Sequence, residues 1–552
     1  MKISSLVRVH DPAIRALHLT WIAFFITFYV WFNMAPLASS MLASNDWLTR
    51  DDIRLFAIAN VALTIPARIL IGMALDKWGP RRVFSLLMIV MAIPTLFFAF
   101  GDTKMQLFVS RLVLSSVGAG FVVGIHMTAL WFKPRDIGFA EGFYAGWGNF
   151  GSAAAAMTIP TVALVLFGGD DGWRYAIATS GVIMAAYGVF YWFAITDGPT
   201  ADTHKKARKT GALEVSTYRD LALLVVFTVP LIGILSILVY RVQRMGYIDG
   251  FVATICYASI ATLVIYQVWQ VLRVNLPILR KGVPKDDRYP FSSVAALNTT
   301  YFANFGAELA VVSMLPMFFQ ETWGLTPVTA GLIAASFAFI NLVARPMGGL
   351  VSDRMGNRRF VMLAYMLGIA IGFALMGLLN SAWPLIIAIA ITIACSFFVQ
   401  GAEGATFGII PSIKRRVTGQ VAGMAGAYGN VGAVFYLFIF MFVDASTFFF
   451  IISAGALASW LICYFWLKEP EGGFDEEYVL SSVDEAIAAQ AARKKETEAE
   501  LALIFAGSER VALAEKADSL TVTARFRDLD DLRAALSRLG PKSGGQPAEP
   551  AE

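Results

Sequence analysis

The sequence predicts an all-α polytopic membrane protein: two pseudo-symmetric six-helix bundles with a two-helix hairpin inserted between them. Three observations predict it. Of 552 residues, 57% are hydrophobic and 15% charged, whereas soluble domains are about 45–50% apolar and about 25% charged. The apolar residues fall into about fourteen runs long enough to cross a bilayer core, which takes about 20 residues per helix. Motifs in the first six runs recur in the last six at a nearly constant spacing.

The runs follow in order. Six lie before Pro199, near 16–40, 53–75, 83–100, 106–132, 139–167 and 174–195. Two lie near 221–240 and 251–273, and six follow Pro290, near 293–318, 328–350, 360–380, 384–410, 420–441 and 447–467. This divides the chain into a first bundle (1–200), linkers carrying the hairpin 221–273 (201–290), a second bundle (291–470) and an acidic tail (471–552). Lys and Arg collect on the cytoplasmic side. Lys77, Arg81 and Arg82, Lys133 and Arg135, Lys205 to Lys209, Arg280 to Arg288, Arg354 to Arg359 and Lys414 to Arg416 therefore mark inner loops. Asp46, Asp51, Asp52, Asp170, Asp171 and Glu321 mark outer ones. Both termini are then expected in the cytoplasm. Arg241 and Arg244 break the pattern on the outer side. Either they snorkel to headgroups or the hairpin is misplaced. The N-terminus has no short apolar stretch ending in a cleavage site, so the first span is expected to target the chain to a cytoplasmic membrane.

The charge balance excludes other classes. Forty-four Lys+Arg against 40 Asp+Glu give +4, too even for a surface that tracks phosphates, so no nucleic-acid partner is expected. Cys256, Cys395 and Cys463 sit in apolar runs without metal-ligand spacing. No His-rich cluster, nucleophile elbow or phosphate loop points to an enzyme, a metal or a cofactor. The tail from Phe474 carries ten basic and sixteen acidic residues, a balance of −6. Within it Asp484–Lys516 reads as helix, Leu520–Phe526 as a strand and Leu529–Leu539 as a second helix, a place where a cytoplasmic regulator could dock.

The repeats are specific. Gly72-x-x-x-Asp76-Lys77-x-Gly79-Pro80-Arg81-Arg82 recurs as Gly349-x-x-x-Asp353-Arg354-x-Gly356-Asn357-Arg358-Arg359, 277 positions later. Arg68 and Arg345 share that spacing, each inside an apolar run. Gly138-x3-Gly142-x5-Gly148-Asn149-Phe150-Gly151 matches Gly419-x3-Gly423-x5-Gly429-Asn430-Val431-Gly432 at a spacing of 281. An arginine at mid-bilayer costs several kcal/mol and reads as functional by default. Two of them on symmetric helices suit a small oxyanion, because the guanidinium donates in a plane and stays charged. Small-x-x-small spacing lets helices approach, and Asn149 and Asn430 within it need partners.

The doubled Gly-x-x-x-Asp loop resembles the signature of the major facilitator superfamily. That resemblance implies two halves rocking about a central midplane site, with Gly72, Asp76, Gly79, Arg81, Arg82, Gly349, Asp353, Gly356, Arg358 and Arg359 as a conformational latch in which the aspartates accept bonds from cytoplasmic arginines. More narrowly, Gly146-Trp-Gly-Asn-Phe-Gly151 and Ala427-Tyr-Gly-Asn-Val-Gly432 resemble the paired signatures of the nitrate/nitrite porter family. Tyr301-Phe-Ala-Asn-Phe-Gly-Ala-Glu-Leu309 and Gly401-Ala-Glu-Gly-Ala-Thr-Phe-Gly-Ile-Ile-Pro411 resemble its seventh and tenth helices, especially in the plant and cyanobacterial high-affinity transporters. The resemblance implies that Arg68, Arg345 and Asn149 bind the anion, that Phe121 and Phe305 sandwich it and that Tyr301 donates to it; Asn430, an amide in the matching glycine run, is a further candidate donor to the anion or to a neighbouring helix. The hairpin is extra to the family's twelve helices, and Ser152 and Ala153 stand where the family often has glycines.

The resulting expectation is a secondary transporter moving nitrate, and nitrite with it, by alternating access. Two arginines and one nitrate leave a surplus charge. Proton symport would neutralise it through His126, Glu308 or Glu403; nitrate/nitrite antiport would avoid an empty site. His126 and Glu403 are also 277 apart. A sensor signalling through the tail is the reading from another class.

Overall fold

The structure is a computed structural model; it describes residues 6–132, 134–198, 212–414, 417–469, 510–516 and 519–525. Fourteen helices among the described residues are long and apolar enough to cross a membrane, matching the expected runs. The chain divides into two compact units, Met1–Val283 with Arg288–Tyr478, and Pro284–Asp287 with Val479–Glu552.

In the first unit, α1 (Pro12–Phe32) starts where Asp11 caps the Ala13 N–H and Pro12 presets the first turn. After α2 (Ala38–Ala43), the second span is broken into α3 (Arg50–Ala62) and α4 (Thr64–Trp78). Thr49 and Asp52 form a reciprocal capping box at its start. Pro66 has no N–H for the Ala62 carbonyl, where α3 ends. Then come α5 (Pro80–Ala99), α6 (Lys104–Leu114) and α7 (Gly120–Trp131), which make one span interrupted by a tight 3-10 stretch at Ser115–Ala119, α8 (Pro134–Thr161) and α9 (Gly172–Ala194). The hairpin is α10 (Tyr218–Gly233) with α11 (Leu235–Arg244), and α12 (Gly250–Lys281). The second bundle is α13 (Phe291–Trp323), the broken pair α14 (Pro327–Phe339) and α15 (Asn341–Arg354), α16 (Arg358–Gly377), α17 (Leu385–Ile413), α18 (Thr418–Phe440) and α19 (Ala445–Trp466). The two breaks are symmetric, since α4 and α15 begin 277 residues apart and Arg68 and Arg345 are each the fifth residue after them.

The glycine signatures bring helices together, and they do so symmetrically. A Cβ at Gly148 would fall 1.9 Å from the Phe24 ring, and one at Gly151 2.1 Å from the Phe25 carbonyl oxygen. In the other half, Gly429 would meet Phe305 at 2.5 Å and Gly432 the Phe302 carbonyl oxygen at 2.3 Å. Only hydrogen fits in either pair of helices, α1–α8 or α13–α18. Gly432→Ala is therefore expected to force α13 and α18 apart. Its obstacle is backbone, which no rotamer change relieves, so destabilisation should reach at least the 1–3 kcal/mol usual for overpacking. Thermal unfolding of the purified protein would measure it, and an unchanged midpoint would contradict this packing.

The hairpin helices are long and apolar enough to cross a membrane, and the first of them lies on the seam between the halves. Arg241 pairs with Asp51 at 3.5 Å and lies 5.3 Å over the Phe442 ring of the second half. It reaches a partner rather than snorkelling to headgroups. Arg244 is exposed beside Tyr240. Tyr247 donates to Asp52 at 2.8 Å, and Lys104 pairs with the same carboxylate at 2.6 Å. Burial, then the bond to Asp52, raise the Tyr247 phenol above its usual range. Further in, Tyr428 of α18 donates to the Phe227 carbonyl at 2.7 Å. At this end the halves also meet directly, through Arg50–Glu321 at 2.8 Å and Arg54 over Phe440 at 4.8 Å.

In the second unit, β1 (Arg510–Lys516) pairs antiparallel with β2 (Ser519–Arg525), Val511 opposite Ala524 and Leu513 opposite Val522. Of the strand expected at 520–526, Leu520–Arg525 lie in β2, and Phe526 lies outside the described residues. The helix expected over Asp484–Lys516 is corrected at its end: Val511, Leu513 and Lys516 belong to a strand, whose backbone bonds are taken by β2. The rest of that helix, the one at Leu529–Leu539, and the linker 199–211 lie outside the described residues.

Candidate functional site

Arg68 and Arg345 are both buried, at 8% and 3% exposure. The helix breaks aim them toward the interior of the molecule, one from each half. Arg68 reaches across to the second half, where a Cβ on Gly426 of α18 would come within 2.6 Å of its Nη1. Its Cζ lies 5.5 Å from the Phe121 ring centre, and its Nε has no acceptor among the described residues. Arg345 is held more fully. Its Nη2 donates to the Tyr301 hydroxyl at 2.7 Å, its Nη1 lies 2.9 Å from Glu403 Oε2, and its Cζ is 5.7 Å from the Phe305 ring centre. The ion pair is close but not aligned as a hydrogen bond, for Nη1 and both Glu403 oxygens remain without one.

The rings connect the two halves. Tyr301 stacks on Phe305 at 5.0 Å and 17°. Phe407 of α17 stands edge-on to Tyr301 at 5.2 Å and lies 5.9 Å from Phe121. Phe121 and Phe305 are thus joined through Tyr301 and Phe407 rather than face to face. Phe407 was not singled out from the sequence, because one phenylalanine in an apolar helix carries no signal. A quadrupolar ring under each guanidinium lowers the cost of burying the cation.

The polar groups differ in how well they are met. Among the described residues, buried Asn149 has neither amide atom bonded, and Asn430 donates to the Gly426 carbonyl at 3.1 Å while its Oδ1 has no partner. Glu308 and Glu403 are buried and lie within hydrogen-bonding reach of each other. Asn341 Nδ2 donates to Glu308 Oε1, and Oε2 receives no N–H or O–H from any described residue. Half-buried His126 lies five residues beyond Phe121 on α7, turned about 140° around the helix axis at about 100° per residue. His126 therefore does not share the face that presents Phe121 to the rings.

The motif loops show a device the sequence did not reveal. Gly79 and Gly356 take positive φ, 79° and 66°, at the turns into α5 and α16. The Arg81 N–H donates to Asp197 at 2.8 Å, and the Arg358 and Arg359 N–H groups donate to the two Glu469 oxygens at 3.1 and 2.8 Å. Each acid lies three residues past the last helix of its own half and caps that half's third span, where the helix dipole favours an anion. The latch expected of Asp76 and Asp353 lies outside the described side chains; the backbone of the paired arginines is held by Asp197 and Glu469. Arg82 is exposed, and a Cβ would meet nothing at Gly72 and only the Gly404 carbonyl, at 3.7 Å, at Gly349. An acid three residues past a span, on a basic face, was the available signal.

Comparison with known proteins agrees with this architecture. Residues 20–280 and 297–511 match the Major Facilitator Superfamily. The chain is 42% identical over 503 residues to the nitrate/nitrite transporter NrtP of Picosynechococcus sp., covering 84% of this chain and 94% of that protein. It is 43% identical over 471 residues to NrtP of Nostoc punctiforme, with the same coverage. The high-affinity nitrate transporter 2.3 of Oryza sativa subsp. japonica is 28% identical over 446 residues, covering 78% of this chain and 72% of that one. Among solved structures, the E. coli xylose transporter XylE in an inward-open conformation superposes with a TM-score of 0.57 at 14% identity, covering 83% of this chain and 97% of XylE. That likeness concerns the fold alone.

Proposed function

This chain belongs to the major facilitator superfamily and, within it, to the nitrate/nitrite porter family, and we propose on that premise that it is a transporter, not an enzyme, that carries nitrate and nitrite across a membrane. One observation carries the substrate reading: two buried arginines, one from each half, each stand over an aromatic ring, and Arg345 donates to Tyr301. Nitrate is flat, monovalent and weakly hydrated. Guanidinium forks donate in its plane, while ring faces suit its surface better than they suit a tetrahedral anion. Arg68, whose Nε has no acceptor, and the unbonded amide of Asn149 supply free donors; Arg345 and Tyr301 supply a preorganised pair. Because the arginines come from opposite halves, binding favours closure of the halves around the anion, which is the requirement for alternating access.

We read the transport as uptake coupled to protons, in a cytoplasmic membrane with both termini inside. The support is the Glu308–Glu403 contact beside Arg345. Two carboxylates so close repel unless a proton lies between them, so the pair has a place for one proton next to the anion. Proteoliposomes given an inward proton gradient and no internal nitrite should accumulate labelled nitrate. Uptake that requires trans nitrite would establish antiport instead.

A further inference from the structure

Resting on the proton-coupled reading, we propose that Asn341 is a positioning residue for the coupling proton: by occupying one Glu308 oxygen, its amide leaves the other to the proton that Glu308 and Glu403 share. Glu308 has two oxygens in different surroundings. Oε1 accepts from Asn341 Nδ2. An oxygen that accepts an N–H is a poor place for a proton, since its hydrogen would meet the amide hydrogen. That leaves Oε2, which has no N–H or O–H donor among the described residues, as the Glu308 oxygen open to the proton the pair shares. The available neighbour is Glu403, which touches Glu308 and whose own oxygens lack donors. The shared proton lies between Oε2 and Glu403, and Glu403 faces Arg345. The anion-binding arginine and the proton site then share one carboxylate.

The placement of Asn341 strengthens the assignment. It opens α15 at the break in the eighth family helix, one turn before Arg345. Its backbone carbonyl faces the first half, where a Cβ on Gly146 would meet it at 3.0 Å. One residue thus orders the carboxyl pair through its side chain and touches the opposite half through its backbone. At the 277 spacing its counterpart is Thr64, and that of Glu308 is Trp31. Trp31 donates its ring N–H to the Asn60 carbonyl, so the first half has no matching carboxyl pair. The charged and titratable groups around the pair are Arg345 from α15, Tyr301 from α13 itself and, beyond Tyr301, Arg68 from α4.

The test is the pH profile of nitrate uptake by the full chain in proteoliposomes, for the wild type, Asn341→Ala and Asn341→Thr. Threonine opens the equivalent helix at position 64, so that variant keeps the break, yet its hydroxyl is too short to reach Glu308. Without the amide, the carboxyl pair loses a donor to its ionised form and keeps its proton to higher pH. The alkaline limb of uptake should move up by about one pH unit in both variants, the size expected for one hydrogen bond to a charged group. The KM for nitrate at acid pH should change less than about twofold. A folded Asn341→Thr protein with a wild-type profile, in a background where wild-type uptake is driven by protons, overturns the role of Asn341. Wild-type uptake indifferent to the proton gradient would overturn the coupling reading itself, which separates the two failures.

Discussion

Arg68→Lys is expected to reduce nitrate uptake by about 100-fold while leaving the protein folded. Lysine keeps the charge but loses the planar fork, and a charge-assisted bond of the kind lost is worth about 1.5–3 kcal/mol, roughly 10- to 150-fold. Arg68 is placed to show this clearly. Its Nε has no acceptor, and Gly426 leaves the room its Nη1 occupies. The fork is therefore open toward a ligand rather than spent on a protein carboxylate. Labelled nitrate flux gives the loss, and thermal unfolding in detergent should shift by no more than about 1 kcal/mol. Uptake near wild type in the lysine variant would refute the clamp.

Arg345→Gln is expected to fail differently, by unfolding as well as by losing transport. Arg345 is paired with Glu403, both nearly fully buried. Removing one partner of such a pair leaves an uncompensated charge and costs about 3–5 kcal/mol. The cost should be largest at alkaline pH and shrink as pH falls, because protonation of the orphaned Glu403 removes its charge. The double variant Arg345→Gln/Glu403→Gln removes both charges and should recover most of the stability, yet remain without nitrate transport. Denaturation midpoints at pH 5 and pH 8 test both statements. Strictly additive losses in the double variant would mean that the two groups do not act as a pair.

The pair of arginines therefore looks symmetric in sequence but is not symmetric in state. One fork is open and the other is tied to a carboxylate and to Tyr301. The asymmetry places charge compensation in the second half, next to the Glu308–Glu403 contact. It also explains why the two substitutions are expected to separate binding from stability.

Much of this was legible from residues alone. The number of spans, the doubled halves, the inserted hairpin and the intramembrane arginines all follow from sequence. Each is a local signal, either a run of apolar residues or a rare charge within one, and repetition at 277 positions makes the signal specific. The glycine signatures were legible as packing motifs too, although their matched contacts on Phe24 and Phe25 in one half and Phe305 and Phe302 in the other were not.

The tertiary structure decided which groups meet. It brought Glu403 to Arg345 and to Glu308, set Asn341 on one Glu308 oxygen, gave Arg241 to Asp51, and seated Asp197 and Glu469 on the starts of α5 and α16. These contacts depend on how each helix is rotated about its axis and how far it slides against its neighbours. In a soluble protein an amphipathic stripe encodes that rotation. A helix with lipid on one side and apolar neighbours on the other has no such stripe, so its sequence fixes that it crosses the membrane and leaves its facing to packing.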